Sequence, residues 1–108
     1  MIKKKYSLKG KKNFDKVYKL GQRKRGQVFG ICKLKNRFEY NRFGVVISAK
    51  KISKASKRNK VKRIIKKIIK LSFDKIDSPF DYVITVLTPL EKINENEVEK
   101  EIKFLLKI

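Results

Sequence analysis

Eleven lysines and arginines fall between Lys50 and Lys70, with no acidic residue among them. Ammonium and guanidinium groups at this density do one kind of chemistry well, which is to neutralise phosphates. Projected at about 100° per residue, Val61, Ile64, Ile65, Ile68 and Leu71 form one stripe of a helix. Arg58, Asn59, Lys62, Arg63, Lys66 and Lys70 form the opposite half, with Ile69 at the boundary. An ordinary solvated face interleaves both signs, because like charges four residues apart repel. Here the repulsion calls for an external polyanion, and about six phosphate contacts from this face predict a log–log salt slope of about −5. Asn59 breaks the cationic pattern. Its amide both donates and accepts, which suits a 2′-hydroxyl or a base edge as well as it suits a plain surface position.

Other chemistries lack their parts. The chain has no His and a single Cys, so it holds neither an internal disulfide nor a thiolate–imidazole ligand set. Asp15 and Glu39, the only acids of residues 1–73, do not make a two-metal site. Cys32 reads as a small buried strand residue. Phe14 and Tyr18 stand four apart, with Val17 between them on the same helical face. Such a pair serves either as core or as a stacking platform for single-stranded bases.

Composition points the same way. Of 108 residues, 31 are Lys or Arg and 10 Asp or Glu, for a net charge of +21. Residues 1–73 carry 26 basic and 2 acidic groups, and residues 74–108 carry 5 and 8, so the excess is localised rather than a general lysine bias. Nucleic acid is the expected partner and a membrane surface its main competitor. The basic start Met1–Tyr6 resembles a signal n-region, but no apolar stretch follows and no run reaches spanning length, so a cytoplasmic protein without membrane association is expected.

The positioning elements follow from periodicity. A single domain is expected from the length. A first helix spans about 12–20, and Gly21 is expected to close it in the left-handed conformation. Residues 22–26 form a basic turn. Strands are expected over 27–35 and 42–49, with Phe43, Val45 and Ile47 facing one way and Gly44 and Val46 the other. The unbroken apolar run 43–47 predicts a central strand covered on both faces. Ser53 or Ser56 is expected to cap the basic helix. A strand over 80–87 and a final helix from about 95 complete the chain, with Asn94 as cap and Glu97 at the capping-box position. The glutamates early in that helix and the lysines late in it suit its dipole as solvated structure.

The stretch Arg42-Phe43-Gly44-Val45-Val46-Ile47-Ser48-Ala49-Lys50-Lys51, followed by Lys57-Arg58-Asn59-Lys60-Val61-Lys62-Arg63, resembles the signature of the bacterial ribonuclease P protein family. Asn13-Phe14-Asp15-Lys16-Val17-Tyr18-Lys19-Leu20-Gly21 is similar to that family's first helix. The resemblance covers most of residues 8–70. It implies an α+β domain of the ribosomal protein S5 domain 2-like kind, with a mixed four-stranded sheet and α-β-β-β-α-β-α order. It also implies a left-handed β-α-β crossover, where general rules favour a right-handed one. By the same resemblance the chain carries no catalytic residue: a partner ribonuclease P RNA cleaves precursor tRNA with bound magnesium, and no small-molecule cofactor is involved. Lys50, Lys51, Arg58, Asn59, Lys60, Lys62, Arg63 and Lys66 would face that RNA, some of them ordering nearby metal ions. Phe14, Tyr18, Val45 and Ile47 would line the cleft for the single-stranded 5′ leader. The chain departs from the family pattern at Lys60 and Lys66, where arginine is usual, and at Ser53, where glycine is frequent. Ile31 or Phe29 stands in for a strand aromatic that faces the leader. A ribosomal or other structural RNA-binding protein and a nuclease acting alone are the competing readings.

Overall fold

Alternation along one strand organises the molecule. In β2 (Phe29–Lys35), Phe29 and Ile31 project to one side and Cys32 and Leu34 to the other, and each side meets a different helical layer. The computed structural model describes residues 4–108; the first three residues of the basic N-terminal run lie outside the described residues. The order is α1 (Lys11–Leu20), β1 (Gln22–Arg25), β2, β3 (Arg42–Val46), α2 (Ala55–Leu71), β4 (Phe80–Val86) and α3 (Glu95–Leu106), with short 3-10 turns at Lys4–Tyr6 and Phe73–Lys75.

The four strands lie in the order β1-β2-β4-β3, with β1–β2 and β2–β4 antiparallel and β3–β4 parallel. Helix α2 is thus the crossover between neighbouring parallel strands. Val61, Ile64, Ile65, Ile68 and Ile69 of α2, with Val98, Ile102, Leu105 and Leu106 of α3, pack on Phe29, Ile31, Phe43, Tyr82, Ile84 and Val86. The opposite sheet face is covered by α1 and the segment before it, where Val17 and Leu8 bury Cys32 and Val83. No helix among the described residues is long and apolar enough to cross a membrane.

Six local expectations are corrected by tertiary context. Residues 22–25 are strand rather than turn: Gln-Arg-Lys-Arg has no apolar alternation, yet backbone pairing with β2 holds it as a charged edge strand, a form that discourages further strand addition. Strand β3 is the other edge rather than a central strand. Its apolar run survives there because Leu8 covers it from outside, the Leu8 N–H donating to the Phe43 carbonyl at 2.8 Å. Gly21 is extended, with φ −81°, and not left-handed. A Cβ there would lie 2.5 Å from the Val17 carbonyl oxygen and 2.7 Å from that of Lys33, so close approach of α1 to β2 is what requires glycine.

Helix α2 starts at Ala55 after Lys54, and neither Ser53 nor Ser56 caps it with a side-chain hydrogen bond. Within it Ile69 is fully buried and Leu71 is 75% exposed, the reverse of the projection. Asn94 does cap α3, accepting from the Glu97 N–H at 3.2 Å. Glu101, grouped by sequence with the solvated glutamates, instead turns inward. Its carboxylate accepts from the Val28 N–H at 2.9 Å and from the Phe29 N–H, closing the β1–β2 turn.

Candidate nucleic-acid interface

Asn59, Lys60, Arg63, Lys66, Lys67 and Lys70 are exposed along α2, brought to one surface by its 3.6-residue period, and α2 carries no acidic residue. Lys62 flanks them, half-buried. The two ion pairs among the described residues, Arg42–Asp81 and Glu99–Lys103, involve none of these groups. Lys50 and Lys51 sit in the turn that leads from β3 to α2, where the Lys51 and Ile52 N–H groups donate to the Ser48 carbonyl and buried Ile52 pins the turn to the core.

Arg58 does not join that surface. It precedes Ile65 by seven residues and Ile69 by eleven, so it lies along the edge of the buried stripe. Its Nη1 donates to the carbonyls of Ile52 at 2.8 Å and Ser53 at 2.7 Å. The guanidinium thereby ties the turn to the first helical turn, although as a donor it leaves the helix's free N–H groups uncapped. Arg58→Ala is therefore expected to lower stability by about 2 kcal/mol, the scale of a hydrogen bond to a charged group. It should change the salt dependence of RNA binding less than Arg63→Ala does. Denaturant unfolding and a salt titration check this; unchanged stability with a slope reduced by about one would return Arg58 to the phosphate-facing set. Lys57 is likewise occupied, its Nζ donating to the Glu91 carbonyl at 2.5 Å.

The aromatic pair of α1 sits on the other sheet face. The Phe14 ring packs against Gly44, where a Cβ would come within 2.5 Å of two ring carbons. Tyr18 is half-buried over the sheet; burial raises its phenol above the ordinary value, with Thr85 and Arg23 pulling the other way. Beneath them the Cys32 thiol, pushed up by burial, donates to the Val17 carbonyl at 3.0 Å. Val45 and Ile47 do not share this face. Both pack against the α2–α3 core, so the sheet separates them from Phe14 and Tyr18. Phe29 and Ile31 are buried on that same far side, and neither replaces a cleft-facing aromatic.

The strand positions on the α1 face are Gly44 and Val46 of β3, Gly30, Cys32 and Leu34 of β2, and Val83 and Thr85 of β4. Sequence alternation grouped Gly44 with Val46 correctly, but nothing in it said which group meets the helix. The usable signal was size: an aromatic helix face approaches closest where a strand residue has no side chain. Gly44→Ala is expected to displace the Phe14 ring at a cost of about 1 kcal/mol, the low end for overpacking since the ring is half-buried. Phe14→Leu in the same chain should recover most of that loss in thermal or denaturant unfolding, and failure to recover it would place the clash elsewhere.

The sequence profile of the family described as Ribonuclease P matches residues 2–108. The ribonuclease P protein component of Fusobacterium nucleatum is 32% identical over 105 residues, covering 94% of each chain. That of Clostridioides difficile is 37% identical over 101 residues, covering 93% of this chain and 88% of the other. The solved RNase P protein of Thermotoga maritima superposes with a TM-score of 0.84 at 28% identity over 94% of both chains. That of Staphylococcus aureus superposes with a TM-score of 0.87 at 24% identity, over 94% of this chain and 93% of the other. A basic crossover helix, a sheet face shared with an aromatic first helix, and a match over nearly every residue agree, and the chain belongs to the ribonuclease P protein family.

Proposed function

We propose that this chain, as a ribonuclease P protein subunit, grips the catalytic RNA with the exposed face of α2 and receives the single-stranded 5′ leader of precursor tRNA on the α1 side of the sheet. One observation carries the reading. Five lysine and arginine side chains and one amide share a helical surface with no carboxylate to neutralise them, so duplex or folded RNA phosphates are the complementary ligand. The leader reading rests on Phe14 and Tyr18, whose half-buried rings flank small residues of β2 and β3 and leave π-surface for unpaired bases.

Magnesium belongs to the RNA in this reading. The exposed groups of α2 are ammonium and guanidinium donors that repel a divalent cation. No group of three or more His, Cys, Asp or Glu among the described residues could hold one. The residues do not fit the ion, and the chain's own contribution is binding and orientation: holding the RNA's phosphates and aligning the leader so that the scissile bond reaches the RNA's active centre.

Reconstitution with a bacterial ribonuclease P RNA at low magnesium tests the proposal. Addition of the protein should restore cleavage of precursor tRNA at the mature 5′ end, whereas the protein alone should cleave nothing. Cleavage by RNA-free protein, or co-purification with ribosomal RNA in place of one structured RNA of a few hundred nucleotides, overturns it.

A further inference from the structure

At the end of β4 opposite Thr85, the first half of α1 and the loop between β2 and β3 enclose a cavity of about 600 Å³. This lies within the range of small-ligand sites, roughly 300–1,000 Å³. Its walls include Lys16, Lys35, Arg37, Phe38 and the Arg42–Asp81 pair. Lys16, Lys35 and Arg37 are exposed and belong to neither ion pair found among the described residues. The wall's one carboxylate, Asp81, is already neutralised by the Arg42 guanidinium at 2.6 Å. The cavity therefore presents net positive charge.

Phe38 is 38% exposed, and the Arg42 guanidinium lies over its ring at 4.5 Å from the centroid. The ring does not hang on a loose loop. The Phe38 N–H donates to Asn36 Oδ1 at 2.9 Å, and Asn36 Nδ2 donates to the Tyr40 carbonyl at 3.1 Å and to Asp81 at 2.9 Å. An aromatic fixed by a hydrogen-bonded loop and surrounded by unpaired cations has the makings of a stacking platform for a base whose phosphate is held nearby.

We propose that this cavity receives one unpaired nucleotide, with its base against Phe38 and its phosphate among Lys16, Lys35 and Arg37. The inference rests on the RNA-binding reading above and extends it to a site separate from the α2 surface and from Phe14 and Tyr18. The nucleotide has two possible sources, the substrate leader and the subunit RNA, and both present the same chemistry.

The test is photo-crosslinking in the reconstituted holoenzyme with bound precursor tRNA, with 4-thiouridine placed in the leader in one arm and in unpaired positions of the subunit RNA in the other. A crosslink to the peptide containing Phe38 in either arm is expected, and the arm identifies the source. Phe38→Ala should reduce that crosslink and weaken affinity for the same RNA about tenfold, the scale of one base–aromatic stack, while Phe38→Tyr retains both. If residues 36–42 acquire no crosslink in either arm while α1 or α2 does, or if Phe38→Ala changes nothing, the inference fails and RNA binding stands. Absence of crosslinks anywhere on the chain would defeat the RNA-binding reading itself.

Discussion

Asp81→Ala is expected to lower folding stability by about 3–5 kcal/mol, the scale for stripping one partner from a buried ion pair. Asp81 accepts from Arg42 Nε at 2.8 Å and Nη2 at 2.6 Å, and from Asn36 Nδ2 at 2.9 Å. The side chains of Arg42 and Asp81 are only 17% and 9% exposed, so water replaces the lost carboxylate only in part. The pair raises the Arg42 guanidinium still further above its ordinary value, chiefly through the hydrogen bonds themselves. It also spans the parallel register of β3 on β4, in which Arg42 stands opposite Asp81. Removing it frees both the edge strand and the loop that Asn36 anchors. Domains of this size are stable by roughly 5–15 kcal/mol, so the variant should show a much reduced urea midpoint. Replacing both partners, as Arg42→Met with Asp81→Leu, should cost less than Asp81→Ala alone, because no charge is left stranded. A loss below about 1 kcal/mol for the single variant would mean that solvent screens the pair.

The triple variant Arg63→Ala, Lys66→Ala, Lys70→Ala should leave stability nearly unchanged while weakening binding to ribonuclease P RNA by several hundredfold at about 0.1 M salt. Each phosphate contact contributes about 0.9 to the log–log salt slope, so losing three should flatten it by about 2.7. The positions are exposed and lie away from Val61, Ile65 and Ile68, and alanine favours the helix. Lys75, Lys92 and Lys100 are also exposed but lie outside α2, so their triple alanine variant removes the same net charge and serves as the control. It should lose far less affinity and little slope. Equal losses in both variants would reduce the role of α2 to general electrostatic attraction.

The helices and the polyanion were legible because both follow from local order. Val61, Ile64, Ile65 and Ile68 recur at helical spacing, and no acid interrupts residues 50–70, so any fold that buries the isoleucines exposes the lysines. A helical projection puts Arg58 on the phosphate-facing side because it assigns an angle and says nothing of neighbours. The carbonyls of Ile52 and Ser53 come within its reach only once the turn before α2 is folded. Local spacing groups Glu101 with the solvated glutamates for the same reason: its partners, the Val28 and Phe29 N–H groups, are over seventy residues away.

The sequence by itself determined the order of elements after residue 27, the amphipathic basic helix, the Asn94 cap and the family resemblance, since these depend on spacing within a few turns of chain. Tertiary structure alone decided that 22–25 pairs as an edge strand, that β3 is the opposite edge, and that α1 meets Gly44 rather than Val45 and Ile47. Alternation divides a strand into two faces but leaves open which of them a distant helix will cover. That choice is made by long-range packing, where Phe14 can approach the sheet only at the position without a side chain.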